Sequence, residues 1–225
     1  MAANKLSIGS LCIPYQILDV AGPLDILSSC SKSLAQAFED MGLVPAGTTA
    51  AAPDVEFHHI GETMDPIAGT AGMTITPTTT IDNCPELDYL LIGGPDPATF
   101  QLSPAYAAFL QKHVAAGKGI FTTCTGGLAI SPSGVLDGRA ATTNHSALPL
   151  AEKLRPAVKW ARVQWVEDGN IWTAGGAAAG MDMMAHFVQE KYGQQILDMA
   201  LIALDFEPRD REGKRALKAE SAQVS

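Results

Sequence analysis

The sequence lacks three features that would place it in common functional classes. It has no apolar run long enough to span a bilayer, and no basic cluster before its C-terminal tail, while its formal charge is −9. None of its four cysteines forms a CxxC pair (Cys12, Cys30, Cys84 and Cys124). These absences argue against membrane insertion, against nucleic acid as a partner, and against a zinc site or a secreted disulfide framework. Residues 1–5 show no signal-peptide pattern, so we expect a cytoplasmic protein. From the cysteine spacing we expect no bound metal.

The alternation of strand-like and helix-like segments predicts an α/β fold. The chain has 225 residues, 47% of them hydrophobic, which suits one domain with a core over about 6–205 and a charged tail over 208–225. Buried apolar runs separated by helices favour a mainly parallel sheet. Strands are expected near 6–13, 55–60, 73–77, 87–92, 119–123 and 140–143, with a β-hairpin over 158–173. Helices are expected near 24–30, 34–41, 104–116, 148–154, 181–192 and 194–204.

One segment, residues 119–129 (GIFTTCTGGLA), has the pattern of a strand that turns sharply into a helix. Its β-branched and aromatic residues favour a strand, and Gly126 and Gly127 allow a tight turn directly after Cys124. A cysteine at such a turn would lie near the positive end of a helix, which favours the thiolate. The pattern therefore indicates a nucleophile, although a small buried cysteine is the alternative that the local sequence leaves open.

Other polar or backbone groups follow expected strands at the same edge of the sheet. Asp19 lies in a loop after the first strand, with Pro23 expected in the first turn of the next helix. The local sequence favours a helix cap or a solvated acid over a site residue at this position. Gly93 and Gly94 end another strand, and each has a backbone N–H group that could point into a site. Pro95 has no N–H group, so Gly94 is the candidate donor. The chain has neither GxGxxG nor a Walker pattern, so a nucleotide loop is not indicated.

Taken together, several blocks resemble the ThiJ/PfpI superfamily. They are LDVAGPLD at 18–25, IGG at 92–94, TCTG at 123–126, GVLDGRAATT at 134–143 and DGNIWTAGG at 168–176. The resemblance implies a flavodoxin-like three-layer sandwich, shared with class I glutamine amidotransferases, and a homodimer, in which residues 31–53 could be contact surface. The loop acid followed by a Gly-Pro pair is most similar to the isocyanide hydratases of bacteria.

Carried over residue by residue, the resemblance implies a catalytic group. Cys124 would be the nucleophile, Asp19 its acidic partner, and Thr125 a residue whose backbone N–H and hydroxyl face the substrate. Gly94 would be a second oxyanion donor. Gly93 and Asn144 would complete the substrate site.

Two positions depart from the pattern of the superfamily. Asn144 stands where histidine is common, and His145 follows it. Neighbouring residues of a strand face opposite ways, so His145 is expected to point away from the cysteine. The usual aromatic-proline ending is replaced by FEPRD at 206–210, which leaves one wall of the pocket or the dimer contact undefined.

Three functions follow as hypotheses, none of which needs a cofactor. A thiolate beside a protonated Asp19 suits hydration of an isocyanide to an N-formamide through a Cys124 thioimidate. A glyoxalase-like hydratase of 2-oxoaldehydes is the second, but it normally uses glutamate and histidine. A redox sensor or a ligand-binding protein without activity is the third, since an exposed cysteine with a low pKa oxidises readily. A regulator would be expected to carry a helix-turn-helix domain in addition.

Overall fold

The computed structural model describes residues 5–214, and its centre is a seven-stranded sheet. Eleven strands occur among these residues: β1 Lys5–Leu11, β2 Asp54–Gly61, β3 Ile67–Ala68, β4 Thr74–Ile75, β5 Thr79–Thr80, β6 Tyr89–Ile92, β7 Gly119–Thr122, β8 Ala140–Ala141, β9 Lys159–Trp160, β10 Trp165–Asp168 and β11 Ile171–Ala174. The main sheet has the order β10-β11-β7-β6-β1-β2-β5. All its pairs are parallel except the hairpin of β10 and β11. The predicted α/β class with a mainly parallel sheet and one hairpin is therefore confirmed.

Helices pack against this sheet in two groups. In the described part of the chain they are α1 Leu18–Ser29, α2 Lys32–Asp40, α3 Thr48–Ala51, α4 Pro104–Ala115, α5 Gly126–Ile130, α6 Leu148–Leu154, α7 Ala177–Tyr192 and α8 Gln194–Leu204. The first group is α1, α7 and α8, which contact one another, and α7 also packs on β11. The second includes α4, which packs on β7. None of these helices is both long and apolar enough to cross a bilayer.

The core holds the central strands in place beneath the site. In β1, Leu6, Ile8 and Leu11 are buried, as continuous apolar runs of a parallel sheet covered on both faces should be. Tyr89 stacks on Phe121 with ring centroids 4.8 Å apart, and Phe187 of α7 meets Phe121 edge-on at 4.9 Å. Aromatic contacts of this kind join β6, β7 and α7, so the strand that leads to Cys124 is rigidly supported.

The first helix begins earlier than predicted. Residues 18–23 were expected to be a loop with Pro23 in the first helical turn, but α1 starts at Leu18 and Pro23 lies inside it. Proline lacks an N–H and normally disrupts a helix interior, which is why the sequence favoured a later start. The consequence is that Asp19 belongs to the first turn of a helix.

Two expected strands also pair elsewhere. The segment 73–77 contributes only Thr74–Ile75, which pairs with Ile67–Ala68 outside the main sheet. Ala140–Ala141 pairs with Lys159–Trp160, again apart from it. In contrast, Ser103 caps α4 as predicted, since its Oγ accepts the N–H of Tyr106 at 3.1 Å.

The charged tail is described only as far as residue 214. Residues 206–214 are not helical. The side chain of Arg209 reaches the buried carboxylate of Asp182, with an Nε–Oδ2 distance of 2.8 Å. The sequence that replaces the usual aromatic-proline ending therefore anchors this segment to α7 through an ion pair. The remaining predicted tail, 215–225, lies outside the described residues.

Candidate active site

Cys124 occupies a sharp turn between β7 and α5, as the sequence predicted. Its backbone has a φ of 55°, a left-handed conformation that costs a non-glycine residue roughly 1–2 kcal/mol. The two following glycines are required by close packing. A Cβ on Gly126 would lie 2.5 Å from the carbonyl oxygen of Ile92, and one on Gly127 would lie 2.6 Å from that of Thr142. The backbone at Cys124 is thus held in a strained shape, as in a nucleophile elbow, and the residue is half-buried.

Asp19 lies against this turn and is completely buried. Its Oδ2 accepts the backbone N–H of Gly94 at 2.8 Å. Its Oδ1 has no hydrogen-bond partner among the described residues. Position 94 must be glycine, because a Cβ there would lie 2.6 Å from the backbone nitrogen of Thr125 and 3.0 Å from Asp19 Oδ2. Three segments far apart in the chain therefore meet at one carboxyl group.

The pKa of Asp19 is raised from 3.8 to about 6. Burial is the main cause, because a charged carboxylate loses its hydration there. The hydrogen bonds from Gly94 and from the thiol of Cys124 oppose this effect by stabilising the carboxylate. Asp19 is therefore a carboxyl group that can both give and take a proton near neutral pH.

The thiol of Cys124 also has a raised pKa, contrary to the expectation of a stabilised thiolate. Burial is the largest cause, and the charge of Asp19 adds to it. Hydrogen bonds from Asn144 and from both the backbone and side chain of Thr125 lower the pKa, but do not compensate. The helix that follows the turn, α5, has only five residues. Cys124 and Asp19 consequently behave as a pair that shares one proton.

Asn144 donates to the sulfur through its side-chain amide. The Nδ2–Sγ distance is 3.3 Å, and the amide is oriented because its Oδ1 accepts from Ser146, from N at 3.0 Å and from Oγ at 2.6 Å. The carbonyl of Cys124 accepts the backbone N–H of Asn144 and the hydroxyl of Thr143, each at 3.0 Å. The residue that replaces histidine is thus a donor that faces the sulfur.

Thr125, Gly93 and Gly94 lie at the same edge of the sheet, each in a definite role. The hydroxyl of Thr125 donates to the carbonyl of Pro95 at 2.6 Å. Gly93 packs against Val20 and Tyr15, which leaves no room for a Cβ. The N–H of Gly94 is occupied by Asp19, so its predicted role as an oxyanion donor requires this hydrogen bond to be shared or broken.

His145 contacts groups other than the sulfur, as expected, but strand alternation is not the reason, because β8 ends at Ala141 and residues 144 and 145 follow it. Its Nε2 lies 2.8 Å from the carbonyl oxygen of Val163, and its ring packs against Gly175. His145 therefore makes no pair with Cys124 in the described structure, and Asn144, Asp19 and Thr125 contribute the polar side chains that act on the thiol.

Two contributors to the site were not identified from the sequence. Thr123 donates its hydroxyl to the backbone carbonyl of Asp19 at 2.6 Å, but its β-branched side chain suggested only a strand. Ser146 orients Asn144, and a serine two residues after an asparagine is a common local turn pattern that could have indicated it.

A cavity of about 430 Å³ lies next to the turn. Thr125 and Leu128 form part of its wall, together with apolar residues such as Phe100, Leu102 and Leu154. Cys124, Asp19 and Asn144 are not part of this lining, so Thr125 is the residue that connects the cavity to the turn. A cavity of this size and character suits the organic substituent of a small molecule.

The model of the DJ-1/PfpI family matches residues 33–190. The chain belongs to the DJ-1/PfpI family. The matched residues include Gly94, Cys124 and Asn144, whereas Asp19 lies before them, so its place in the site rests on the geometry described above.

The relatives of this DJ-1/PfpI protein include an enzyme and regulators. Isonitrile hydratase of Pseudomonas putida is 29% identical over 205 residues, which is 90% of this chain and 79% of that protein. The HTH-type transcriptional regulator GbdR of Pseudomonas aeruginosa is 28% identical over 125 residues, which is 56% of this chain but only 34% of the regulator. Among solved structures, a ThiJ/PfpI family protein from Pseudomonas syringae has a TM-score of 0.73 at 23% identity, covering 97% of this chain and 80% of that one.

Proposed function

We propose that this protein is a cofactor-independent hydratase that adds water to a small isocyanide and releases an N-formamide. The observation that carries the proposal is the buried carboxyl of Asp19, which has a raised pKa, one oxygen without a hydrogen-bond partner among the described residues, and a charge that acts on the pKa of Cys124. An isocyanide carbon must receive both a nucleophile and a proton, and this pair supplies both. The similarity to an isonitrile hydratase over 90% of the chain supports the same reaction class.

The proton shared by the pair is used in the first step. The pKa of Asp19, about 6, lies below 7, whereas the pKa of the Cys124 thiol is raised above its ordinary value of 9.0. The prevailing form at pH 7 is therefore the Asp19 carboxylate beside the Cys124 thiol. Asp19 takes the thiol proton, Sγ forms a bond to the terminal carbon of the isocyanide, and the proton passes from Asp19 to that carbon. The product of this step is a thioimidate, R–N=CH–S–Cys124.

Water completes the reaction. Asp19, again a carboxylate, removes a proton from a water molecule that adds to the thioimidate carbon, and it passes this proton to the nitrogen. As the tetrahedral adduct collapses, its C–S bond breaks, and Asp19 carries the proton of the hydroxyl group to the departing sulfur. The sum is one isocyanide plus one water giving one N-formamide. Asn144 would donate to the sulfur as it departs, since its Nδ2 already lies 3.3 Å away.

The cavity beside Thr125 favours an apolar substituent on the substrate. Its walls are mainly aliphatic and aromatic, and its volume of about 430 Å³ exceeds that of a cyclohexyl or phenyl group. We therefore propose alkyl and aryl isocyanides as the substrate class.

A second candidate is a ligand-binding role without turnover. The similarity to a transcriptional regulator over 56% of this chain favours it, because the same fold can bind a small molecule without transforming it. In that case Cys124 and Asp19 would contact a ligand, and no product would form.

The deciding experiment is turnover in ¹⁸O-labelled water with cyclohexyl isocyanide and, separately, with methylglyoxal. Hydration predicts an N-formamide that carries ¹⁸O, with no product from the Cys124→Ala variant. Lactate from methylglyoxal without any formamide would instead indicate a glyoxalase-like enzyme. Binding of the isocyanide without turnover would support the second candidate.

A further inference from the structure

The backbone carbonyl of Asp19 is bonded in an unusual way. In a regular helix this carbonyl would accept the N–H of residue 23, but Pro23 has none. The hydroxyl of Thr123 takes its place and donates to the Asp19 oxygen at 2.6 Å, across 104 residues of sequence. Because Pro23 leaves this carbonyl free, the hydrogen bond from Thr123 connects the helix that carries the acid to the turn that carries the nucleophile.

The side chain of Thr123 is fixed in this position by packing. Thr123 is fully buried, its N–H donates to the carbonyl of Ile92 at 3.0 Å, and its methyl group lies directly against the Cα of Gly180 in α7. Any side chain at Gly180 would displace it. Since the methyl group packs against α7 and the backbone is hydrogen-bonded to β6, the side chain has one orientation, in which the hydroxyl points toward Asp19.

The neighbouring threonine, Thr122, does not make an equivalent hydrogen bond within the described part of the chain. Thr122 is equally buried, yet its hydroxyl has no hydrogen-bond partner among the described residues. A buried hydroxyl without a hydrogen-bond partner destabilises the fold, so the hydroxyl of Thr122 does not contribute to stability. Thr122 therefore provides a matched control for Thr123.

We propose that Thr123 is a positioning residue: its hydroxyl, together with the N–H missing at Pro23, holds the helix turn that carries the Asp19 carboxyl beside the Cys124 turn. The inference rests on the proposed function only in taking this pair as the reacting groups. Its test can therefore follow Cys124 itself, without any substrate turnover.

The other charged and titratable groups on the surrounding elements are engaged elsewhere. Asp25 of α1 is exposed, Asp182 of α7 pairs with Arg209, and His145 contacts Val163. Tyr15, in the segment before α1, is buried, and its raised pKa keeps it neutral over the range used below. The Asp19→Asn variant therefore decides whether a step near pH 6 in the reactivity of Cys124 belongs to Asp19.

The experiment measures the rate at which iodoacetamide modifies Cys124 from pH 5 to pH 10, with the modified peptide quantified by mass spectrometry. The wild-type profile is expected to show two steps, one near pH 6 that is absent from Asp19→Asn. Thr123→Val should lose the step near pH 6, because the thiol then titrates without the neighbouring carboxyl group. Thr123→Ser, which keeps the hydroxyl, should return toward the wild-type profile, and Thr122→Val should stay within twofold of it.

Two further variants separate positioning from simple satisfaction of a buried carbonyl. In Pro23→Ala/Thr123→Val, the N–H introduced at position 23 can bond the Asp19 carbonyl within the helix. This variant should regain stability but not the step near pH 6, and it serves the same comparison if Thr123→Val alone does not fold. In the Asp19→Asn background, Thr123→Val should have no further effect.

The inference is overturned if Thr123→Val keeps the step near pH 6, if the double variant at 23 and 123 restores that step, or if Thr123→Val acts fully in the Asp19→Asn background. Loss of formamide production with an intact two-step profile would count against the proposed reaction alone.

Discussion

Asp19→Asn is expected to make the protein more stable at neutral pH while it impairs the chemistry. The ordinary pKa of 3.8 rises to about 6 on folding, so the folded state binds the Asp19 proton more tightly than the unfolded state. A difference of roughly 2 in pKa corresponds to about 3 kcal/mol. A raised carboxyl pKa destabilises the fold at high pH, so this cost is complete above pH 6 and disappears as the pH falls toward 4.

The asparagine removes the charge but brings a cost of its own. The amide oxygen of the asparagine can keep the hydrogen bond from Gly94. Its NH₂ group would then take the position of Oδ1, where the described residues offer no acceptor apart from the sulfur. A buried donor without a good acceptor costs about 1–3 kcal/mol. We therefore expect a net gain of about 1 kcal/mol at pH 7.5 and a net loss near pH 4, with turnover of isocyanide lowered roughly 10²-fold or more.

Urea unfolding of both proteins at several pH values between 4 and 8 measures this difference. Asp25→Asn removes an exposed carboxyl from the same helix and should leave the free energy of unfolding nearly unchanged at every pH. A stability difference between Asp19→Asn and wild type that does not vary between pH 4 and 7 would refute the raised pKa. Wild-type turnover in Asp19→Asn would show that the carboxyl has no part in the reaction.

Four other outcomes are expected. Cys124→Ala and Cys124→Gly should both abolish turnover, but the glycine variant should be more stable by roughly 1 kcal/mol in thermal unfolding because it relieves the positive φ; equal stability would argue against the strain. Gly94→Ala should lower both stability and turnover, since its Cβ would collide with Thr125; unchanged kinetics would contradict the close approach. Leu102→Trp should raise the KM for cyclohexyl isocyanide severalfold, and much less for methyl isocyanide, by filling the cavity; an equal effect on both would place the substituent elsewhere. Sedimentation at micromolar concentration should show a homodimer, which a strictly monomeric species would contradict.

The sequence alone was sufficient for the elements that depend on local pattern. Buried apolar runs at strand length, interrupted by glycine and capping residues, predicted the parallel sheet, and Ser103 with Pro104 predicted the start of α4. The sharp turn at Cys124 followed from β-branched residues before it and two glycines after it. These predictions concern the type and the start of single elements, which depend on neighbouring residues, so local residue types are enough.

Tertiary structure decided the chemistry of the site. Pro23 favoured a late start of α1 by the local rule, but the hydroxyl of Thr123 bonds the carbonyl that the proline leaves free, so the helix begins at Leu18. The expected thiolate was wrong for a similar reason. Burial and the charge of Asp19 together outweigh the nearby hydrogen-bond donors and raise the pKa of Cys124. Desolvation and charge contacts between segments 75 to 104 residues apart exist only in the folded chain, and local sequence pattern carries no record of them.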